Sequence, residues 1–403
     1  MQKIPRLIIV TFLLLLPQLL FAQHKFDEEE PVGKADTLWR PTKADTLRYI
    51  SALKSFDTLV QEAIAGNEVK QVNLGSYYSN DKKYDSAFYW YSKSAEKGNL
   101  VAECNLGVMY QYGYWVPKDN TIAIQWYSRS AEQGYTPCQC NLANMYEFGL
   151  GETHAYTEAL KWYKKAAEGG DENAFVNLGR MYENGIGMQK NYVQAIKWYK
   201  MAAECNIGAA EGRLGQLYEF GGFGIVADTP EALHWYRRAA EHEDISGYIS
   251  LGRMYYYGTG GLAVNYKEAT KLFMKASRKG SPLALYILGQ IYESGVGDIK
   301  QDYHEAAHMY THAAEKGHAN SQYRLGMLYE SGKGVQQSDS LAVVWLMKAE
   351  AQGNIPAAGK LGEMYYEGRG VPMDKEKGKA LILKAANAGI EEYKEYFKSH
   401  SIK

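Results

Sequence analysis

Two stretches of the chain are variants of one pattern: ALKWYKKAAEGGDENAFVNLGRMYENGIG (159–187) and ALHWYRRAAEHEDISGYISLGRMYYYGTG (232–260). Each contains a leucine, a small residue directly after it, and a tyrosine three residues further on. The leucine recurs nine times in steps of 32 to 37 residues, at Leu74, Leu106, Leu142, Leu178, Leu214, Leu251, Leu288, Leu325 and Leu361. A fixed period in this range is typical of a solenoid built from one supersecondary unit.

Each unit is predicted to contain two helices. In the fourth unit, apolar residues lie at helical spacing on both sides of the turn that contains Gly185 and Gly187. A residue that can cap a helix N-terminus precedes the second helix in seven units: Asp119, Asn191, Asp228, Asn265, Asp302, Ser338 and Asp374. We therefore predict an all-α fold, a right-handed α–α superhelical solenoid of about nine helix-turn-helix repeats of 36–37 residues.

Glycines recur at two kinds of position. One follows the leucine inside the first helix, as at Gly179, where glycine costs about 1 kcal/mol relative to alanine. We expect it to allow close backbone packing by the alanine pair of the second helix, such as Ala202-Ala203. The others form Gly-x-Gly pairs between the helices, and no strand precedes them. These pairs are expected to be turns with positive φ and not phosphate-binding loops.

The pattern A-x-x-x-L-G-x-x-Y-x-x-G-x-G-V…A-x-x-W-Y-x-x-A-A-E-x-G resembles the Sel-one-like repeat (SLR) family, a branch of the tetratricopeptide-like helical solenoids. AFVNLGRMYENGIG and SQYRLGMLYESGKGV match it best, and the resemblance covers about residues 70–389. It implies an adaptor or scaffold whose stacked helix pairs present a curved groove to partner proteins. Some exported bacterial members carry regular cysteine pairs and are linked to cell-wall or β-lactam compounds. This chain lacks such regular pairs.

The N-terminus has the pattern of an export signal. Lys3 and Arg6 precede an almost wholly apolar run over 7–20, and Ala22 follows. We expect a signal peptide at 1–22, whose removal leaves no membrane span. A retained anchor is the alternative, but the apolar run is short for a spanning helix. The chain has no Asn-x-Ser/Thr sequon, which favours an exported bacterial protein, periplasmic or extracellular.

The rest of the chain divides into four segments. Residues 23–47 are charged and contain two prolines, so we expect a flexible leader. Residues 48–69 are expected to form an N-terminal capping helix and 390–403 a C-terminal capping helix and tail, because end units must cover an apolar face. The nine repeats lie between them, at 70–389.

Charge and cysteine content exclude several classes of protein. Forty-five Lys+Arg against forty-six Asp+Glu give a net charge of −1, which provides no basic excess for nucleic-acid binding. The four cysteines are Cys104, Cys138, Cys140 and Cys205, too few for a disulfide framework, so we expect buried small hydrophobic residues. Cys104 and Cys140 occupy equivalent positions in adjacent units, about 8–10 Å apart, which is too far for an unstrained bridge.

The string His304-Glu305-Ala306-Ala307-His308 fits H-E-x-x-H, the zinc-hydrolase pattern. Aligned on the repeat, however, His308 takes the place of the solvated Lys197. A hydrolase would also need a third ligand and a closed cleft. His304, His308 and His312 are therefore weak candidates for a surface metal site, and we predict no catalytic residue and no cofactor.

A solenoid without a catalytic site is expected to bind a protein or peptide through its concave face, which the first helices line in related repeats. The residue before each leucine is asparagine in the first four units and cationic in three later ones. Side-chain amides can hydrogen-bond an extended peptide. The candidate partner-binding residues are Asn73, Asn105, Asn141, Asn177, Arg213, Arg324 and Lys360, with Arg180 and Arg253 two positions after the leucine.

We therefore predict an exported, non-enzymatic scaffold for a protein or peptide partner. One alternative is a zinc-dependent hydrolase that uses the HEAAH string. The other is an envelope protein that binds cell-wall or other glycans through its abundant tyrosines. The pattern makes no prediction of oligomeric state.

Overall fold

The computed structural model describes residues 43–151, 154–222 and 224–399, which form twenty helices and no strand. They are α1 (Lys43–Ile64), α2 (Glu68–Asn80), α3 (Tyr84–Ala95), α4 (Leu100–Tyr112), α5 (Asn120–Glu132), α6 (Thr136–Glu147), α7 (Tyr156–Glu168), α8 (Glu172–Asn184), α9 (Tyr192–Glu204), α10 (Gly208–Phe220), α11 (Thr229–Glu241), α12 (Ile245–Tyr257), α13 (Tyr266–Arg278), α14 (Pro282–Ser294), α15 (Tyr303–Glu315), α16 (Ala319–Ser331), α17 (Asp339–Ala351), α18 (Ile355–Glu367), α19 (Lys375–Asn387) and α20 (Glu391–Ser399).

The helices belong to two compact units that divide between Ala65 and Gly66. Helix α1 lies in the first unit. In the second, α2 to α19 form nine pairs, each packed on the next along the chain, which confirms the predicted α–α solenoid. We number the repeats from 1 (α2 and α3) to 9 (α18 and α19). No helix in the described part of the chain is long and apolar enough to cross a membrane.

The boundaries at the N-terminal end differ from those predicted. The signal peptide at 1–22 and residues 23–42 of the leader lie outside the described residues. Helix α1 begins at Lys43, inside the predicted leader, and ends at Ile64. The predicted capping helix at 48–69 therefore includes the break between α1 and α2. No proline or glycine occurs between Pro41 and Gly66, which lets the helix extend over the whole interval. Gly66, with φ of 97°, marks the stop.

The final helix, α20, packs on the last repeat. Tyr393 is buried in one cluster with Ile382 and Ala385 of α19. This contact removes an apolar face of α19 from water.

The predicted caps are confirmed in all seven repeats. Asn191 has extended backbone, and its side chain accepts from Gln194 N–H at 3.0 Å. Asp374 does the same for Lys377 N–H at 3.0 Å. Each such bond satisfies an N–H group that has no partner within its helix, worth about 1 kcal/mol. The Gly-x-Gly pairs are turns as predicted, for example at Gly185 and Gly187, whose φ values are 69° and 70°.

The reason for the mid-helix glycine differs from the one predicted. What approaches Gly179 is the aromatic ring of Tyr199 in the second helix, and not the backbone of the alanine pair. A Cβ on Gly179 would lie 2.5 Å from Cε1 of that ring. The same tyrosine covers the glycine in four other repeats: Tyr91 on Gly75, Tyr127 on Gly107, Tyr236 on Gly215 and Tyr310 on Gly289. The glycine therefore leaves room for a buried aromatic ring to lie against the first helix.

Candidate functional site on the first helices

In five repeats a buried tyrosine of the second helix donates its hydroxyl to a glutamate or glutamine of the first helix in the same repeat. Tyr199 donates to Glu183 at 2.6 Å, and Tyr310 donates to Glu293 at 2.6 Å. Three more repeats make the same bond: Tyr127 with Gln111, Tyr163 with Glu147 and Tyr236 with Glu219. Burial, together with the bond to Glu183, holds the pKa of Tyr199 well above its ordinary value. These hydroxyls therefore stay protonated and act as donors.

Glutamates at this position also receive a cation from the first helix of the following repeat. Arg180 Nη2 lies 2.7 Å from Glu147 Oε2, and Lys360 Nζ lies 2.9 Å from Glu330 Oε1. Arg253 pairs with Glu219 in the same way. Arg213 and Arg324 lie 3.8 and 3.7 Å from Glu183 and Glu293. We call these five pairs the ion-pair ladder.

The ladder gives the predicted cationic candidates a role within the fold. Arg180, Arg213, Arg253, Arg324 and Lys360 all tie one repeat to the one before it. Guanidinium carries five N–H donors, so each of the four arginines keeps donors beyond those used in its ion pair. Partner binding by these five residues stays a prediction.

The four predicted asparagines do not form a row of free amides. Asn141 Nδ2 lies 3.7 Å from the sulfur of Cys104, and Asn177 Nδ2 lies 4.0 Å from that of Cys140. Asn105 is half-buried, and Asn73, near the start of the array, is exposed. Their role in binding is therefore also still a prediction.

The ion-pair ladder is interrupted between repeats 6 and 7. Tyr256 stands where Glu147, Glu183 and Glu219 stand in earlier repeats, and Ile287 occupies the position of the cationic Arg213. Among the described residues, no ion pair joins α12 to α14. The second helix of repeat 6 has changed as well: Phe273 replaces the tyrosine, and its ring lies against Gly252. Repeat 6 therefore lacks both the tyrosine hydroxyl of the second helix and its glutamate acceptor on the first helix.

A cavity of about 590 Å³ opens at this interruption. Ile249, Tyr256 and Tyr257 of α12 line one side, and Ile287 and Ile291 of α14 line the other. Arg253 and Arg324 stand on its wall, each already paired with a glutamate. The Tyr257 side chain is 66% exposed. The site is therefore a cleft of mixed polarity, in which isoleucine and aromatic side chains lie beside Gln290 and Ser294, between two arginines that are each paired with a glutamate. Apolar surface with a few polar groups is typical of pockets that anchor a side chain.

Of the nine predicted partner-binding residues, the structure brings two, Arg253 and Arg324, into this cavity. The other seven are distributed along the array. The sequence prediction missed Ile249, Tyr256, Tyr257 and Ile287. Their signal is a departure from the repeat: at two positions where other units carry Glu and Arg, repeats 6 and 7 carry Tyr256 and Ile287.

The HEAAH string lies on the solvated face of α15, as its register predicted. His304, Glu305 and His308 are exposed, and Ala306 is buried. His308 Nε2 and His312 Nε2 are 3.1 Å apart. His318 is occupied elsewhere, because its Nδ1 caps α16 at Ser321. The described residues contain no group of three or more His, Cys, Asp or Glu side chains placed to hold a metal ion.

Two of the cysteines form a bridge, contrary to the expectation of four buried thiols. Cys104 of α4 is bonded to Cys138 of α6, with Cα atoms 5.7 Å apart. The predicted exclusion of Cys140 as the partner of Cys104 is confirmed. Cys140 is a buried thiol, whose pKa is raised to about 12 by burial and by Asp171, and Cys205 is exposed. The bridge escaped prediction because it joins non-equivalent positions of two repeats.

The chain belongs to the Sel1 repeat family. The family's model matches nine segments: 71–99, 100–135, 136–171, 176–207, 208–244, 245–281, 282–318, 319–354 and 355–390. Proteins of this class are commonly scaffolds for protein interactions.

Two solved structures resemble this chain throughout most of the array. One is c5321, a protective antigen present in uropathogenic Escherichia coli strains and displaying an SLR fold; it is 30% identical, with a TM-score of 0.60 over 84% of this chain and 80% of its own. The other is a Sel1 repeat protein from Oxalobacter formigenes, 32% identical, with a TM-score of 0.57 over 61% of this chain and 99% of its own.

Proposed function

We propose that this chain is an exported, non-enzymatic scaffold that binds a protein partner through its first-helix face, with the cavity between repeats 6 and 7 as the anchor site. The carrying observation is that the ion-pair ladder stops where the cavity opens. Between repeats 6 and 7, neither the glutamate nor the cation of the ladder is present, so the ion pair between the repeats is lost. The space at this interface is open to another molecule.

The first-helix face is supported as the concave side by contacts along the stack. Helices α10 and α12, the first helices of repeats 5 and 6, contact each other directly. The ladder pairs likewise join first helix to first helix. In a stack of helix pairs, the helices that lie closer together occupy the inner side of the curve, and solenoids use that extended surface for binding.

The chemistry of the cavity selects a peptide segment that carries a large apolar side chain. Glu219 and Glu293 neutralise the two arginines, so the pocket offers little attraction to a charged group. Ile249, Tyr257 and Ile287 offer apolar surface, whose burial contributes about 25 cal/mol per Å². The remaining N–H donors of Arg253 and Arg324 can hold backbone carbonyls on either side of that side chain.

Completing the ladder tests this proposal. The double variant Tyr256→Glu/Ile287→Arg gives repeats 6 and 7 the residues found in repeats 4 and 5, so it should fold and fill the cavity. A photo-cross-linking residue introduced at Tyr257 in the native cell should capture a protein on the unaltered background and lose it on the double variant.

A cross-linker at the exposed Lys161 of α7 serves as the matched control, because it lies on a second helix. Equal capture at Tyr257 on both backgrounds would overturn the assignment of the cavity. The melting temperature of the double variant, measured beside the parent, shows that any loss is not unfolding.

Export is proposed from the N-terminal signal pattern and is supported by the Cys104–Cys138 bridge, because disulfides persist mainly in oxidising compartments. Thiol alkylation in intact cells, before and after reduction, tests it. One bridge protected until reduction is expected. Four thiols that react without reduction in denatured extract, with the protein in the cytosolic fraction, would contradict export.

A further inference from the structure

Helix α16 begins at an N-cap that differs chemically from those of the other first helices. Six of these helices are capped by a side-chain oxygen of asparagine, aspartate or serine: Asn67, Asn99, Asp171, Asp244, Ser281 and Asn354. In repeat 8 the cap is a ring nitrogen. Nδ1 of His318 accepts from the Ser321 N–H at 3.3 Å and lies 2.9 Å from Ser321 Oγ. Imidazole ordinarily changes its charge between about pH 5 and 8, so this cap can respond to acid.

The hydrogen bonds of this cap require a neutral imidazole. A backbone N–H can only donate, so Nδ1 of His318 must be the acceptor, and the ring proton is assigned to Nε2. A second proton on Nδ1 would face the Ser321 N–H and leave it without an acceptor. Because Ser321 is fully buried, no solvent water replaces the lost bond, and an unpaired buried N–H is costly.

The surroundings of the ring also disfavour a positive charge. The free N–H groups in the first turn of α16 carry partial positive charge, which acts against an imidazolium at the N-cap. Burial lowers the pKa of His318 below its ordinary value of 6.5. The neutral ring is therefore the form that the folded protein prefers.

The neighbouring helices supply no group that would hold a proton on the ring. Helix α14 places Tyr286 against it, with ring centroids 5.0 Å apart. The end of α15 and the turn after it carry Glu315 and Lys316, both exposed. From the end of α17 and the cap of α18, the amides of Gln352 and Asn354 meet the first turn of α16. Among the described residues, no carboxylate forms an ion pair with the ring.

We propose that His318 is an acid-sensitive cap: its neutral imidazole holds the first turn of α16, and protonation releases that turn. Arg324, further along the same helix, stands on the wall of the cavity between repeats 6 and 7. Tyr286, which contacts the imidazole, directly precedes Ile287 of the same cavity. Acid therefore loosens repeat 8 beside the proposed anchor site. The cap itself depends only on the fold and not on partner binding.

The direction of the pH dependence follows from the proton balance. The folded protein binds the proton of His318 less tightly than the unfolded chain does. The contribution of the cap to stability is therefore full above the unfolded pKa and is lost as the pH falls through the folded pKa. Stability at this site should accordingly decline below about pH 6.5.

The variant His318→Asn separates the cap from its titration, because asparagine caps the first helix in repeats 1, 2 and 9 and does not titrate. ¹⁵N NMR of the histidine-labelled full chain should give the ring of His318 a pKa below 6.5. Amide exchange at Ser321, corrected for the intrinsic effect of pH, should lose about fivefold in protection between pH 8 and pH 5. In His318→Asn that protection should stay constant. The N–H of Ala102, which Asn99 caps at 3.1 Å, is the internal control and should show no change.

His234→Asn is the matched control, because His234 is exposed on α11 and caps no helix; it should keep the acid response of the parent. A pKa of His318 at or above 6.5, as attraction of an imidazolium to the Tyr286 ring would produce, would overturn the proposal. Constant protection of Ser321 in the parent, or an equal acid response in His318→Asn, would also overturn it. None of these measurements uses a bound partner, so this proposal and the assignment of the cavity fail separately.

Discussion

The ring of Tyr199 lies directly on Gly179, so that a Cβ on the glycine would be 2.5 Å from Cε1 of the ring. The ring is fixed at its other end by the bond from its hydroxyl to Glu183 at 2.6 Å. Glycine, ring and carboxylate therefore form one packing unit, which recurs along the array. Its physical consequences can be measured one substitution at a time.

Gly179→Ala should destabilise the protein. Alanine favours the helix by about 1 kcal/mol, but the extra methyl must displace a buried ring, and overpacking of this kind costs about 1–3 kcal/mol. Urea unfolding should show a net loss of up to about 2 kcal/mol. Ala143→Gly is the control, because repeat 3 already has alanine there; it should lose about 1 kcal/mol through helix propensity. An increase in stability in Gly179→Ala would contradict the account.

Tyr199→Phe should lose about 1–3 kcal/mol, since it removes a hydrogen bond to a charged group and leaves Glu183 with one donor fewer. The converse change, Phe273→Tyr, should bring no gain, because Tyr256 stands where the acceptor would be. Denaturant unfolding of both, with a double-mutant cycle of Tyr199→Phe and Glu183→Gln, measures the coupling. Additive single and double mutants would show that no such bond contributes.

Glu103 should make stability depend on pH. Burial raises the pKa of this carboxyl, against the opposing effect of Arg129. The folded protein therefore holds the proton more tightly than the unfolded chain. Its contribution to stability is full below the unfolded pKa and is lost as pH rises through the folded pKa. Glu103→Gln should remove this fall in urea titrations from pH 4 to 8.

A matched change in the next repeat serves as its control. Gln139 occupies the position of Glu103, and its Nε2 donates to Ala131 O at 3.0 Å. Gln139→Glu should therefore introduce a decline of the same sign as pH rises. An identical pH slope in Glu103→Gln and the parent would refute the assignment.

Reduction of the Cys104–Cys138 bridge should lower the free energy of unfolding by about 3–4 kcal/mol in the chain-entropy model, given the sequence separation of 34 residues between the cysteines. Cys104→Ser/Cys138→Ser should reproduce this loss without reductant. Cys140→Ser, which removes an unbridged thiol, should not respond to reductant differently from the parent. Thermal melting with and without dithiothreitol checks both.

The HEAAH string should be dispensable for stability. Glu305→Ala and His308→Ala alter exposed side chains and should each change the free energy of unfolding by no more than about 0.5 kcal/mol. The melting temperature, with and without EDTA, should be the same for parent and variants. A marked drop on chelation, with stoichiometric zinc in untagged protein, would instead restore the hydrolase alternative.

Much of the fold could be predicted because nine copies average out the noise of a single one. The caps at Asn191 and Asp374 and the turn at Gly185 were visible in the sequence since each depends on local backbone chemistry. The contact of the Tyr199 ring with Gly179 was not visible in the sequence, because packing between helices sets the direction of a side chain. The N-terminal boundary at Lys43 was missed because charged composition was given more weight than the absence of helix breakers.

The candidate site was harder to predict for a related reason. The pattern draws attention to residues that recur, such as Arg180 and Arg324, and recurrence proved to reflect contacts between repeats. The cavity depends on Tyr256 and Ile287, which interrupt the pattern, and the cap at His318 interrupts it as well. In a repeat protein, the residues that depart from the pattern distinguish one repeat from another. Only the three-dimensional structure shows which of these residues lie close together.

The missing rung between repeats 6 and 7 also has a mechanical consequence. Glutamate–cation links join repeats 3 through 6 and, separately, 7 through 9. The array should accordingly bend and begin to unzip at this joint, with amide exchange dividing into two blocks on either side of it. A ligand bound in the cavity would contact both repeats and so stiffen this interface. Binding and the stiffness of the solenoid would therefore depend on the same residues.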